Sequence, residues 1–269
     1  MGTKAVFLDL DGTLNNDQKS ITPRTKQALI QAQEQGIRIV LASARPSPGL
    51  FKERDILELQ RYGGILMSYN GGRIVNASTG AVLFETAMDF SQTASILCKL
   101  EKFPVTPILD DGVQFFVSDK NGYMVEYECQ NNMMTCVEVN NLADSLSFAP
   151  VKILLSVVPE RLQQVKFEIS KILPSDLAIV QTAPFYLEII PSIINKGQGL
   201  LDTCRSLGIQ TSETAAFGDA ENDIPMLKTA GIGVAMGNAT LAVKNVADMV
   251  TLSNNEDGIA VWLEKYILR

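Results

Sequence analysis

The fold is decided by residues 4–14, which read KAVFLDLDGTL. Residues 5–8 form a short apolar run, and such a run predicts a buried strand. The strand ends in two carboxylates, Asp9 and Asp11, followed by Gly12. Two anions this close repel each other unless a cation or a shared proton relieves them. The segment therefore indicates either a carboxylate-based active site with a hard metal ion or a solvated turn, since Asp-Gly is a common turn dipeptide.

The composition is that of an ordinary globular protein. The chain has 269 residues, of which 46% are hydrophobic and 20% charged, enough for one or two domains. Its net charge of -7 repels nucleic acid and anionic membranes, so we expect neither as a partner. No apolar run reaches the ~18 residues of a membrane span, and the start of the chain predicts a strand rather than a signal segment. We therefore expect a cytoplasmic protein, and the sequence does not indicate its oligomeric state.

The chain contains no histidine and four cysteines. The absence of histidine excludes Ser-His-Asp hydrolysis, Cys-His proteolysis and histidine-bound zinc. Acid–base chemistry must then depend on carboxylates, lysine, tyrosine or metal-bound water. The cysteines show no Cys-x-x-Cys pair, and we expect them to be reduced and mostly buried.

Strand and helix patterns alternate over the first part of the chain. Thr22-Pro23 is a favourable helix start, with a capping hydroxyl and a proline at the first helical position, and Gly36 is placed to end this helix. Apolar runs at 37–42 and 64–68 predict two further strands. Short apolar runs separated by helices are typical of a parallel sheet covered on both faces.

The pattern changes in the middle of the chain. A hairpin signal covers 73–84, and adjacent strands then favour an α+β unit. The predicted elements are a helix at 89–102, strands near 113–118, 123–128 and 151–158, a helix at 160–173, and strands at 177–181 and 185–190. Alternation resumes with helices at 196–207, 223–229, 239–246 and from 257, and strands at 214–217, 232–235 and 249–251.

These patterns predict a doubly wound, Rossmann-like α/β core with an inserted α+β domain. We expect the discontinuous core to comprise residues 1–80 and 188–269, and the inserted domain to comprise 81–187.

A second carboxylate cluster follows the predicted strand 214–217 and reads GDAEND, residues 218–223. The carboxyl ends of parallel strands meet at one edge of the sheet, where ligands bind. We therefore expect Asp9, Asp11, Asp219 and Asp223 to converge there. Four carboxylates without histidine favour Mg²⁺ over zinc. The alternative for the second cluster is a helix cap formed by its aspartate or asparagine.

Two further segments are suited to holding an anion. The tripeptide Ser43-Ala44-Arg45 follows the second strand, where a hydroxyl and backbone N–H groups could contact phosphate oxygens, or where Ser43 could simply cap the strand end. Lys196 opens a predicted helix, a position that the helix dipole disfavours unless an anion lies nearby. A solvated surface lysine is the alternative there.

With these four segments in this order, the chain resembles the haloacid dehalogenase-like (HAD) phosphohydrolases, and within them the Cof-type branch with a large cap domain. Asp9-Leu-Asp-Gly-Thr13 matches the first motif, Ser43 the second, Lys196-Gly197 the third and residues 218–223 the fourth. The second motif is usually Thr/Ser-Gly-Arg, and Ala44 replaces its glycine, which puts the backbone donor at that position in doubt.

The resemblance implies a Mg²⁺-dependent phosphatase of small phosphorylated metabolites, with Asp9 as nucleophile and Asp11 as general acid and base. It implies metal binding by the Asp9 carboxylate, the Asp11 carbonyl, Asp219 and Asp223. It implies phosphate binding by Leu10, Ser43, Ala44, Lys196 and Asn222. The inserted domain would close over the substrate and select it.

Three other functions stay open at this point. A phosphomutase would use the same aspartyl-phosphate and pass it to a second hydroxyl. A phospho-acceptor receiver domain shares a parallel α/β fold and an acidic pocket, and a regulatory protein could bind phosphate without catalysis. The sequence also leaves open whether Arg45 contacts substrate or pairs with a structural carboxylate.

Overall fold

The computed structural model describes residues 2–268. In chain order the strands are β1 (Ala5–Leu8), β2 (Arg38–Ala42), β3 (Ile65–Ser68), β4 (Arg73–Asn76), β5 (Val82–Glu85), β6 (Thr106–Asp110), β7 (Gln114–Val117), β8 (Thr135–Glu138), β9 (Ile153–Ser156), β10 (Leu177–Ala183), β11 (Tyr186–Pro191), β12 (Thr214–Gly218), β13 (Ile232–Ala235) and β14 (Met249–Val250).

The α-helices are α1 (Pro23–Glu34), α2 (Phe51–Ile56), α3 (Leu59–Tyr62), α4 (Phe90–Leu100), α5 (Val125–Asn132), α6 (Leu142–Ser145), α7 (Pro159–Ser170), α8 (Lys196–Leu207), α9 (Ile224–Thr229), α10 (Leu241–Lys244) and α11 (Gly258–Tyr266). Helix α1 begins as the sequence predicts, because the Thr22 side chain accepts a hydrogen bond from the Thr25 N–H and Pro23 occupies the first turn.

The chain divides into two compact units. The first comprises the residues up to Glu85 together with those from Asn195 onward, and the second runs from Thr86 to Ile194. The sequence places the boundaries at 80/81 and 187/188. The structure assigns β5 to the first unit because it pairs with β4, and β11 to the second because it pairs with β9 and β10.

The first unit is built on a sheet with the strand order β14-β13-β12-β1-β2-β3-β4-β5. Strands β14 to β3 run parallel, and β4 and β5 add an antiparallel edge. Strand β1 is fully buried, as a central strand covered on both faces must be. From β1 the chain adds strands on one side of the sheet, and from β12 it adds them on the other side. The position between β1 and β12 is therefore the topological switch point of the sheet, where α/β proteins bind ligands. The predicted doubly wound core is confirmed.

The second unit contains a mixed sheet with the order β10-β11-β9-β6-β7-β8. Apolar residues of α4 and α7, including Leu97 and Leu162, pack with Ile153, Leu155 and Leu187 of this sheet. The unit is therefore an α+β domain inserted into the chain of the first, as the sequence predicts.

One prediction in this unit was wrong. Residues 123–128 were expected to form a strand, but α5 begins at Val125. Val125, Glu128 and Asn132 are buried, and their spacing matches one face of a helix. The β-branched and aromatic residues of the segment favoured a strand, and burial of this face outweighs that preference. The sequence also missed the short strands β6 and β8.

The cysteines are free thiols, but the expectation that most are buried was wrong. Cys204 is buried, Cys129 and Cys136 are half-buried, and Cys98 is exposed. Within residues 2–268, no helix has both the length and the apolar character that crossing a bilayer would require.

Candidate active site

Three carboxylates meet at the switch point of the first sheet. Asp9 follows β1, and its N–H donates to the Phe217 carbonyl at 3.2 Å, so the ends of β1 and β12 lie side by side. Asp219 and Asp223 follow β12. Each of these aspartates offers a carboxylate oxygen within 4.8 Å of those of the other two. The two acidic clusters of the sequence therefore converge, as predicted, through these three residues.

Lys196 lies at the centre of this cluster. It is fully buried, and its Nζ donates to Asp9 Oδ1 at 2.5 Å and to Asp223 Oδ1 at 2.6 Å. It is the first residue of α8, whose N-terminus is capped by the Asn195 side chain. The solvated-surface alternative for Lys196 is thereby excluded. When all three carboxylates are ionised, they and the one ammonium carry a net charge of about -2, which a divalent cation would neutralise.

Burial and mutual repulsion perturb the protonation of the cluster. Burial, followed by the charge of Asp223, raises the pKa of Asp9 from 3.8 to about 8, although Lys196 opposes the shift. Burial also raises the pKa of Asp219. Burial disfavours the charged form of Lys196, but Asp9 and Asp223 outweigh it and raise the pKa of this lysine. The cluster is therefore an electrostatically strained site that binding of a cation would relieve.

This strain predicts a pH-dependent gain in stability for Asp9→Asn in the absence of divalent cations. Between pH 3.8 and about 8 the folded protein keeps a proton on Asp9 that the unfolded chain has lost. Protonation of Asp9 in the folded state therefore adds to the free energy of unfolding below this pH range. That contribution is lost as the pH rises through the range. Because asparagine does not ionise, the melting temperature of Asp9→Asn minus that of the wild type should grow with pH and level off above about 8. A difference that stays constant from acid to alkaline pH would contradict this assignment.

Backbone and hydroxyl donors fix the other two carboxylates. Asp223 Oδ2 accepts the N–H groups of Asp219 and Ala220, both at 3.0 Å. Asp219 Oδ1 accepts the Thr13 hydroxyl at 2.7 Å. Asp223 thus has both oxygens engaged, whereas Asp219 keeps Oδ2 for a ligand. Thr13 was not singled out from the sequence, although its place in the first motif was the available signal.

Gly12 allows these groups to approach each other. Its φ of +86° lies in the left-handed region, and a Cβ at this position would overlap Asp219 Oδ2. Glycine is therefore required here both for the backbone conformation and for the close contact. The Asp-Gly dipeptide that suggested a simple turn is the point at which the two acidic clusters meet.

The residues present fit a Mg²⁺ ion. The donor set consists of hard carboxylate oxygens without nitrogen or sulfur ligands, as Mg²⁺ prefers. Asp9 and Asp219 offer carboxylate oxygens, and Asp223 lies within reach to bind directly or to orient the others. A cation here would also relieve the repulsion between Asp9 and Asp223.

Asp11 does not join this cluster through its side chain. Its carboxylate is about half exposed and accepts Arg45 Nη2 at 2.6 and 2.8 Å. The expectation that all four aspartates converge therefore needs correction, because the Asp11 carboxylate pairs with Arg45 and only Asp9, Asp219 and Asp223 form the close group. In this structure Arg45 pairs with the carboxylate of Asp11.

The second motif lies on the neighbouring strand. Ser43 follows β2 and is buried; its hydroxyl accepts the Arg45 N–H at 3.2 Å, and its carbonyl accepts the Asn70 N–H at 2.8 Å. Ala44 is half-buried and does not adopt a left-handed φ, so alanine causes no backbone strain where the resembling family has glycine. The Leu10 side chain is fully buried, and its carbonyl accepts the Thr13 N–H at 3.3 Å.

Asn222 is exposed and donates to Asn70 Oδ1 at 3.2 Å. Asn70 follows β3 in a turn where Tyr69, Asn70 and Gly71 have φ values of 52°, 56° and 96°. Two successive non-glycine residues in the left-handed region are uncommon, and such conformations cluster at functional sites. The Asn-Gly dipeptide was a visible signal for a turn, but only the structure brings it to Asn222.

Known proteins resemble this chain over almost its whole length. Residues 6–263 match the family model for haloacid dehalogenase-like hydrolases. A haloacid dehalogenase-like hydrolase from Bacteroides thetaiotaomicron of known crystal structure is 34% identical, with a TM-score of 0.92 over 98% of this chain and 99% of that one. The phosphatase YwpJ of Bacillus subtilis is 30% identical, over 96% of this chain and 97% of that protein. The 5-amino-6-(5-phospho-D-ribitylamino)uracil phosphatase YitU of Bacillus subtilis is 28% identical, over 97% of this chain and 96% of that protein.

These similarities agree with the order of the four motifs and with the acidic site at the switch point. The chain therefore belongs to the haloacid dehalogenase-like hydrolases, as a Cof-type phosphatase that hydrolyses phosphoric monoesters.

Proposed function

We propose that this protein is a Mg²⁺-dependent phosphatase of small phosphorylated metabolites, such as sugar phosphates, and that it acts through an aspartyl-phosphate. The observation that carries the proposal is the buried Asp9 carboxylate at the switch point, bound by Lys196 at 2.5 Å and flanked by two further carboxylates. A nucleophilic carboxylate, a fixed cation and a divalent-metal site are the parts that phosphoryl transfer requires.

Asp9 is the proposed nucleophile. A carboxylate oxygen of Asp9 attacks phosphorus, a new P–O bond forms, and the bond to the ester oxygen breaks. Asp11 gives its proton to the leaving alkoxide. Asp11 then takes a proton from the water that attacks the aspartyl-phosphate, which regenerates Asp9 and releases inorganic phosphate.

The separation of Asp9 and Asp11 supports this division of roles. Asp9 is buried beside Lys196, whereas the Asp11 side chain is about half exposed and so is accessible to water. The Asp11 carboxylate is instead engaged by Arg45. Only the backbone carbonyl of Asp11 is then proposed as a metal ligand.

Charge stabilisation comes from groups around the cluster. We propose that Lys196, the Ser43 hydroxyl, the Asn222 amide and the N–H groups of Leu10 and Ala44 contact the phosphoryl oxygens. Mg²⁺, held by Asp9, Asp219 and the Asp11 carbonyl with support from Asp223, would supply positive charge next to those oxygens.

The second unit, Thr86–Ile194, is the proposed cap domain that selects the substrate. The proposed contacts in the first unit all go to the phosphoryl group and leave the rest of a substrate unrecognised. The relative that acts on a phosphoribitylamino-uracil supports a small phosphorylated metabolite as the substrate class.

A phosphate-release screen over sugar phosphates, polyol phosphates, nucleotides and cofactor phosphates tests this function. We expect release of inorganic phosphate from at least one class. Quantitative conversion of a hexose 1-phosphate into its isomer without phosphate release would instead show a phosphomutase. Failure to hydrolyse any substrate, including p-nitrophenyl phosphate, would favour a phosphate-binding regulatory protein.

Removal of the metal should abolish the activity. We expect EDTA to stop hydrolysis of p-nitrophenyl phosphate and excess Mg²⁺ to restore it, because the site otherwise holds uncompensated negative charge. Mg²⁺ should also raise the melting temperature, since a ligand of the folded state alone stabilises it. Full activity after exhaustive chelation, with no thermal shift on adding Mg²⁺, would refute the metal site.

A further inference from the structure

The loop that carries both aspartates of the first motif is held by side chains from other loops. We call residues 9–15 the nucleophile loop. The Asn238 side chain donates through Nδ2 to the Gly12 carbonyl at 2.7 Å. The Asn254 side chain donates through Nδ2 to the Asn15 carbonyl at 3.0 Å. Two carbonyls of the loop are therefore bound by amides that lie more than two hundred positions away in the sequence.

The two amides also support each other. Asn238 Oδ1 accepts the backbone N–H of Asn254 at 3.0 Å, so the Asn238 side chain bridges the two loops. These loops follow β13 and β14, and a further bond from the Gly237 N–H to the Leu252 carbonyl, at 3.0 Å, joins them. The contacts thus form a connected network, anchored on two neighbouring strands, rather than isolated surface hydrogen bonds.

The far end of the loop is fixed from a third direction. The Asn15 N–H donates to the Leu10 carbonyl at 2.8 Å, which closes the loop on itself. The buried Asn15 side chain donates through Nδ2 to Glu53 Oε1 of α2 at 3.1 Å. Residues 13–15 are buried, whereas the Asp11–Gly12 segment is not. The middle of the nucleophile loop is consequently the part that packing leaves least constrained.

Glycine at position 12 gives this middle segment more intrinsic backbone freedom than any other residue would. The residue must be glycine because a Cβ would overlap Asp219. The bond from Asn238 ends on the carbonyl of this same residue. Because this bond fixes the Gly12 carbonyl, it restricts the φ and ψ angles of Gly12. These angles set the orientation of the preceding peptide, which contains the Asp11 carbonyl.

We propose that Asn238 is a positioning residue for the nucleophile loop. By holding the Gly12 carbonyl it orients the preceding peptide, and so the Asp11 carbonyl and the direction of the Asp11 side chain. This inference rests on the proposed function, in which that carbonyl binds Mg²⁺ and that side chain moves a proton. Asn238 itself touches neither the substrate nor the reacting atoms.

The variant Asn238→Asp tests this role with little risk to the fold. Asn238 is exposed, so no cavity forms, and aspartate has nearly the same shape. A carboxylate can still accept the Asn254 N–H but cannot donate to the Gly12 carbonyl. Its extra negative charge by itself would tighten Mg²⁺ binding, so weaker binding must come from lost positioning. Asn238→Ala repeats the test without the added charge.

The matched control is Gln181→Glu. Gln181 is an exposed amide on β10 of the second unit, and its side chain donates to the Ala183 carbonyl at 3.1 Å, so this variant also loses a bond from an amide to a backbone carbonyl. It receives the same chemical change and the same charge. Hydrogen–deuterium exchange of peptides covering 9–15, Mg²⁺ titration calorimetry and steady-state kinetics are measured on wild type and all variants.

In both Asn238 variants we expect faster amide hydrogen exchange in residues 9–15 and weaker Mg²⁺ binding. We also expect kcat to fall about 10–100-fold, the range seen when partners of metal ligands are removed. Gln181→Glu should match the wild type in all three. Unchanged exchange in the Asn238 variants would overturn the proposal. So would faster exchange with wild-type kcat and Mg²⁺ affinity, because the contact would then be structural only. If the wild type hydrolyses no phosphate ester, the proposed function fails separately, and exchange and Mg²⁺ affinity still decide the role of Asn238.

Discussion

Asp9→Asn is expected to abolish phosphate release while the protein stays folded. The substitution keeps the shape of the side chain but removes the proposed nucleophilic oxygen, so the proposed P–O bond to the enzyme could not form. Asparagine is also neutral, and burial already favours a neutral group at this position, since the pKa of Asp9 is raised to about 8. Catalysis and stability should therefore change in opposite directions in the absence of a metal ion.

The measurement is hydrolysis of p-nitrophenyl phosphate at saturating Mg²⁺, together with mass spectrometry of the enzyme during turnover. We expect a transient gain of one phosphoryl group in the wild type and none in Asp9→Asn. Asp17→Asn is a suitable control, because Asp17 is exposed and lies outside the carboxylate cluster. Turnover near the wild-type rate in Asp9→Asn would remove Asp9 from the role of nucleophile.

Lys196→Met should lose activity and a large part of the folding free energy. The lysine ammonium binds both Asp9 and Asp223, and all three groups are buried. Removing one partner of a buried ion pair leaves uncompensated charge and typically costs about 3–5 kcal/mol. Methionine fills nearly the same volume, so a loss of this size would come from electrostatics rather than from a cavity.

Denaturant unfolding of a double-mutant cycle separates these contributions. At a pH above about 8, where the Asp9 carboxylate ionises, Lys196→Met combined with Asp9→Asn should be more stable than Lys196→Met alone, because one of the two stranded carboxylates is then replaced by a neutral group. Lys26→Met serves as a control, since Lys26 is an exposed lysine of α1 and receives the same substitution. A Lys196→Met variant as stable as the control, or a strictly additive double mutant, would show that the lysine does not compensate Asp9.

The core of the fold could be predicted from the sequence because each of its elements is indicated by a few adjacent residues. The apolar runs of β1, β2 and β3, the Thr22-Pro23 cap and the start of α8 at Lys196 each follow from a few adjacent residues. The second unit was harder to predict from sequence. Helix α5 was mistaken for a strand because Val125 and the aromatic residues around it favour extended backbone, and only burial of one helical face selects the other structure.

For the candidate site as well, some features could be predicted from the sequence and others could not. The sequence indicated the carboxylates of both clusters, Ser43 and Lys196, since each stands next to a strand end or a helix start. It did not indicate that Asp11 turns toward Arg45, that Thr13 binds Asp219, or that Asn238 holds the carbonyl of Gly12. These contacts join residues that are far apart in the chain, and no local pattern encodes their distance.

By itself, the sequence determined the parallel core, the inserted domain and an acidic site without histidine, because these depend on residue type and order. The tertiary structure decided how the Asp9-Leu-Asp11 pair divides. One carboxylate is buried against Lys196, Asp219 and Asp223, whereas the other turns outward to Arg45. The physical reason is that burial and charge proximity set the protonation and ligand-binding ability of a carboxylate, and both arise only when β1 and β12 come to lie side by side.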